Sequence, residues 1–261
     1  MKRTTPIIIA VLLLSACGMM DAIQDRRDEI FMPMEREYAV DVKIATALPE
    51  SPDRLPIYRV ANISVNSFDT DDRLLKLNKN VPSEFEAIKI AKEFTMKNGG
   101  IPNNVSIHAN TVYLEKLNTK TGKILERHPS IVQVTFGRNI GGMPVVGPCE
   151  KIWVSIGENG EVASFHKRWA ELEPAGDTKI ISAIEAIEKL KKGDTIYVVP
   201  CPIREMEITG ISLGYYVDYM DCADYIAYSG SPSKAVTYEP IWMFDLKTDC
   251  GTMPMWIAAK A

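Results

Sequence analysis

Two stretches of this chain carry apolar residues at helical spacing, and both open with the same device. Ser83 precedes Glu84-Phe85-Glu86-Ala87-Ile88, and Ser182 precedes Ala183-Ile184-Glu185-Ala186-Ile187. Each is an S-x-x-E capping box: the serine oxygen accepts a first-turn backbone N–H, and the glutamate reaches back to the serine's own N–H. Phe85, Ile88, Ala91 and Phe94 then fall on one face of the first segment, and Ile184, Ile187 and Leu190 on one face of the second. Asn98-Gly99-Gly100 and Gly193 stand where left-handed caps close helices. Helices of about four and about three turns are expected.

Elsewhere the pattern is that of strands. Tyr58–Ser67 alternates apolar and polar residues, as a half-buried strand does. After the first helix come Val105–Leu117, Ile131–Arg138, Lys151–Ile156 and Glu161–Trp169, separated by turn signals at Asn118–Gly122, Gly141-Gly142 and Glu158-Asn159-Gly160. After the second come Thr195–Val199, Glu205–Tyr219, Ile241–Leu246 and Met255–Ala259. Helix followed by strands, twice, predicts an α+β fold of two repeated units, each a helix packed on an antiparallel β-sheet. The expected organisation is a signal peptide over 1–16, a tether and N-terminal segment over 17–56, and α+β units over 57–175 and 176–261. Length alone also allows the two units to share one sheet.

The first residues change the picture from fold to location. Lys2 and Arg3 precede an apolar run from Pro6 to Leu14, too short for a membrane span. Leu14-Ser15-Ala16-Cys17 resembles the lipobox of bacterial-type lipoproteins. That resemblance implies acylation of the Cys17 thiol and cleavage before it, which anchors the chain to a membrane through its N-terminal lipid. The expected location is the cell envelope, extracytoplasmic. Gly18, where inner-membrane retention would want an aspartate, favours the outer membrane if the cell has two.

Cysteine usage agrees. Of five cysteines, four remain beside Cys17: Cys149, Cys201, Cys222 and Cys250. In an oxidising compartment these are disulfide candidates. Sequence leaves all three pairings open; adjacency in the chain leans towards Cys149–Cys201 and Cys222–Cys250. No two lie at C-x-x-C spacing, so a zinc site is not expected. The formal net charge of −4 over 261 residues points to neither nucleic acid nor a polybasic membrane contact.

One stretch carries a family resemblance. Val134-Thr135-Phe136-Gly137-Arg138, Gly142-Met143-Pro144-Val145-Val146-Gly147, Ile152-Trp153-Val154-Ser155-Ile156 and Gly160-Glu161-Val162 resemble the extracytoplasmic PepSY-like proteins. Tyr238-Glu239-Pro240-Ile241-Trp242-Met243-Phe244 resembles a strand of the same broad group, which includes the YycI/YycH-type accessory proteins. The resemblance implies tandem helix-on-sheet modules and regulation of a peptidase or envelope sensor through protein contacts.

Chemistry is sparse. His108, His128 and His166 lie in no motif with metal-ligand or triad spacing, and no G-x-S-x-G elbow, P-loop or dinucleotide fingerprint occurs. No metal or cofactor is expected, and no catalytic residue is assigned. The acidic run Asp69–Asp72 reads as a turn. The candidate binding surface is Tyr215, Tyr216, Asp218, Tyr219, Asp221, Asp224 and Tyr225, where aromatic area alternates with charge. Arg138 joins it as a potential carboxylate ligand, the rival reading being a structural salt bridge. Trp153, Trp169, Trp242 and Trp256 fall in expected strands and read as core or sheet-face residues.

The expected function is therefore a non-enzymatic envelope lipoprotein that binds a protein or peptide partner. Two rival readings stay open: an envelope hydrolase or peptidase whose site sequence does not reveal, and a structural assembly component.

Overall fold

Both capping boxes form. Ser83 N donates to Glu86 Oε2 at 3.0 Å and Glu86 N to Ser83 Oγ at 3.3 Å; at Ser182 and Glu185 the same bonds measure 2.7 and 3.2 Å. They start α1 (Glu84–Lys97) and α2 (Ala183–Lys191). The computed structural model describes residues 41–69, 78–147, 151–196, 203–217 and 236–261. At the end of α1, the Lys167 ammonium donates to the carbonyls of Gly99 and Gly100 at 2.5 and 3.1 Å. Burial holds its pKa below the ordinary lysine value.

The buried faces keep Ala91, Ile187 and Leu190 of the expected stripes but leave out Phe85 and Ile184. Ala87, Ala91 and Thr95 are the buried residues of α1, while Phe85 is 67% exposed; in α2 Ile184 is 59% exposed and Ala186, Ile187 and Leu190 are buried. Alanine on the contact face lets a helix lie close to a sheet, while Ile187 and Leu190 of α2 are buried as expected.

The described residues also form ten strands: β1 (Asp41–Ile44), β2 (Arg54–Asp69), β3 (Val105–Leu117), β4 (Ile124–Ile140), β5 (Met143–Val146), β6 (Lys151–Ile156), β7 (Val162–Lys179), β8 (Glu205–Tyr216), β9 (Thr237–Thr248) and β10 (Gly251–Ala258). They join in one mixed sheet ordered β1-β8-β5-β4-β6-β7-β2-β9-β10, with β3 on β4 and a further β8–β9 pairing. Two pairings are parallel, β1 with β8 and β5 with β8.

This corrects the expected α+β fold of two repeated units, each a helix on its own antiparallel sheet. The described chain is mostly β, with two helices on one large mixed sheet. The cause is long-range pairing that local periodicity does not encode. β5 bonds to β8, and β2 bonds to β9 at Tyr58↔Tyr238, so strands from either side of residue 175 share ladders. β1 also lies within the stretch expected to be a tether.

The core has three parts. α1 covers Val132, Val134, Phe136, Ile152, Val154, Ile156 and Phe165. α2 covers Ile208, Trp242, Phe244, Leu246, Met255 and Ile257, and Trp242 Nε1 donates to Ile181 O at 3.0 Å. Between them Tyr215, Tyr238, Val145, Val217 and Val236 form a smaller cluster.

Candidate binding surface

An antiparallel strand at a sheet edge points the backbone groups of alternate residues away from its neighbour. β3 is such a strand. Among the described residues it pairs only with β4, running from Val105↔Arg138 to Leu117↔Ile124. Asn139 N donates to Asn104 O at 2.8 Å, so even-numbered residues bond inward up to the bulge after Val112. The N–H groups of Ile107, Ala109 and Thr111 then point outward. Thr111 shows it directly: its N–H and Oγ1 both donate to Glu84 Oε1 at 3.0 Å.

Among the described residues the remaining edges are blunted or short. β1 has 4 residues. β10 carries Pro254 in mid-strand, and its Trp256 carbonyl accepts from Ile196 N at 2.9 Å. β3 has 13 residues, contains no proline, and lies beside α1. Its odd residues Val105, Ile107 and Ala109 pack with Ile88 against the α1 core.

The even residues of β3 belong to the opposite sheet face. There the ladders align His108, Thr135, Trp153 and His166 in one cross-strand row, with Asn110 and Gln133 in the next. The Trp153 and His166 rings lie 4.9 Å apart, 31° from parallel. Two histidines far apart in sequence thus share a row, which only the register reveals.

Beyond Val112 the β3–β4 hairpin continues as an arm exposing Tyr113, Leu117, Ile124 and Leu125. The Arg127 guanidinium lies 4.0 Å from the Tyr113 ring centre, Lys116 pairs with Glu126 at 3.0 Å, and His128 Nε2 lies 3.6 Å from Glu126 Oε2.

Of the residues expected to form a surface, Tyr215, Tyr216 and Arg138 are described. Tyr215 is buried: its hydroxyl donates to Pro56 O at 3.1 Å, and its ring meets Tyr58 edge-on at 5.8 Å. Tyr216 is half-buried, with its ring 5.7 Å from that of Trp256. Asp218, Tyr219, Asp221, Asp224 and Tyr225 lie outside the described residues, as do Cys17, Cys149, Cys201 and Cys222. Arg138 donates to Ala170 O and lies 4.3 Å over the Trp169 ring. Sequence reasoning missed the β3 edge because nothing local says that a strand has one neighbour rather than two.

No protein-family model matches this sequence, and no curated protein matches it. Among solved structures, an uncharacterized protein from Eubacterium rectale is similar at 13% identity and a TM-score of 0.36. The match covers 72% of this chain and 55% of that one. This chain therefore spans about half the length of that neighbour.

Proposed function

We propose that this chain is a lipid-anchored envelope protein that binds an extended segment of a protein or peptide partner, and that it is not an enzyme. The partner strand lies along the outer edge of β3. The observation that carries the reading is the long, proline-free edge with outward N–H groups at Ile107 and Ala109, beside α1. Strand addition takes its affinity from main-chain hydrogen bonds and its specificity from alternate side chains. Here those side chains meet α1 on one face and the two rows begun by His108 and Asn110 on the other. The lipobox-like Leu14–Cys17 supports the envelope location.

Hydrogen exchange on the purified chain, with and without a pool of peptides from digested envelope proteins, tests this. Bound peptide should slow exchange at the outward amides of Ile107 and Ala109. The amides of Ser106 and His108, already bonded to β4, should change little. Ala109→Pro removes an outward N–H that β4 does not use, and should abolish the effect. Protection that survives Ala109→Pro, or that appears on β10 instead, would refute the β3 site.

A further inference from the structure

We propose that the tip of the β3–β4 arm docks on an anionic phospholipid surface, with Leu117, Ile124 and Leu125 entering the interface and Lys120 and Lys123 meeting the headgroup phosphates. The inference rests on the envelope location proposed above and goes beyond the β3 strand site.

The arm stands clear of the body. Every side chain from 119 to 129 is exposed. Leu117 and Ile124 face each other across the last pair of the ladder and are 49% and 47% exposed, and Leu125, at the bulge beside them, is 54% exposed. Three large aliphatic side chains therefore sit together in water at the end of a hairpin, where they support no core.

Charge says which surface suits them. Between 113 and 128 four basic residues stand against two acidic ones, in a chain whose formal net charge is −4. Both acids are already met: Arg127 pairs with Glu115 at 3.1 Å and Lys116 with Glu126 at 3.0 Å. Among the described residues no carboxylate stands in ion-pair range of Lys120 or Lys123. The uncompensated positive charge thus lies in the turn, next to the aliphatic trio, and the whole-chain charge hides it. An anionic bilayer repels a net acidic protein but attracts this end of it, so the field orients the molecule arm first.

The turn is also built to leave water. Asn118 N donates to Lys123 O and Gly122 N to Asn118 O, both at 2.8 Å. Asn118 Oδ1 accepts from Lys120 N at 2.9 Å and Thr121 N at 3.1 Å, and Lys123 N donates to Thr121 Oγ1 at 3.4 Å. Backbone donors that are met internally cost little when moved into an apolar layer, whereas unmet ones are expensive there. The lysine stems lie along apolar surface while their ammonium groups stay among the phosphates. A protein partner fits less well: protein interfaces favour aromatic residues and arginine and are depleted of lysine, and this tip carries aliphatics and lysine.

An N-terminal lipid would hold the chain beside the bilayer, so that the tip meets it as an intramolecular event and a weak contact suffices. From Ala109 to Leu117 the strand runs about 25 Å. Docking the tip therefore leaves the edge at Ile107 and Ala109 clear of the surface and open to a partner strand.

The purified full chain is reconstituted into vesicles of phosphatidylcholine, with and without phosphatidylglycerol, and hydrogen exchange is followed at the amides of Lys120, Thr121, Gly122 and Lys123. Phosphatidylglycerol should slow them by at least about fivefold, the increment that one lysine near an anionic surface contributes, and high salt should remove the difference. The N-terminal segment is the same in both vesicles and cancels. A Lys120→Gln, Lys123→Gln double variant should lose the slowing while the β4 amides of Val132 and Val134 exchange as in wild type. A Leu117→Ser, Ile124→Ser variant should weaken it. Equal exchange in the two vesicles, or full slowing in either variant, overturns the proposal. So does slowing that appears without lipid as protein concentration rises, which would give the tip to a second copy, or slowing by envelope peptides in place of vesicles. Peptide protection at Ile107 and Ala109, read in the same samples, reports on the strand site separately. Recovery of the chain only from the cytosol would remove the envelope reading and this contact with it.

Discussion

Tyr215 shows how burial reassigns a residue. In sequence it opens a tyrosine- and aspartate-rich stretch, and it looks like part of a recognition surface. In the fold its ring is fully buried and its hydroxyl is bonded to Pro56 O. Burial pushes its pKa from 10.0 up to about 12, with smaller contributions from Tyr58 and Asp177. The sign follows from linkage: folding favours the neutral phenol. That contribution is whole below pH 10 and is lost as pH rises through the window to about 12. Tyr215→Phe should cost ~1 kcal/mol near neutral pH through the lost hydrogen bond. Urea unfolding should show the gap between wild type and variant narrowing from pH 10 upward. Parallel pH profiles would mean that Tyr215 is not the alkali-sensitive group.

At the scale of elements, the helix starts were legible because a capping box is local chemistry. Glu185 accepts from both Ser182 N and Ser182 Oγ, and these bonds hold its carboxyl below the usual range. A depressed carboxylate pKa stabilises the fold above the unfolded value, and the contribution is lost as pH falls. Ser182→Ala should cost ~1 kcal/mol in chemical denaturation. Glu185→Gln should flatten the acid limb of the stability profile, and an unchanged limb would dismiss the linkage. Strands were legible wherever alternation was clean: β3 and β6 begin and end where their sequences predict. What could not be read was pairing. Val145 sits opposite Tyr215 and Tyr58 opposite Tyr238, contacts that no periodicity encodes. The β3 edge escaped for the same reason, since its openness depends on which strands lie elsewhere.

Across the whole molecule, these pairings close a circuit: β8, β5, β4, β6, β7, β2 and β9 each bond to the next, and β9 returns to β8. The narrow links are short, with two paired residues between β4 and β5, β5 and β8, and β2 and β9. The Tyr215–Tyr238 cluster packs where they meet, drawing in Tyr58, Ile140 and Met143. Two independent helix-on-sheet units would unfold separately. A closed circuit instead couples the α1 and α2 cores, because opening either breaks ladders that the other needs. The tryptophans supply the test. Trp169 packs against the α1 core and Trp242 is buried in the α2 core. With fluorotryptophan incorporated, both resonances should shift at the same urea midpoint in the intact chain. Separated midpoints would show that the short links do not couple the two cores, and that the sheet is continuous in bonding but not in stability.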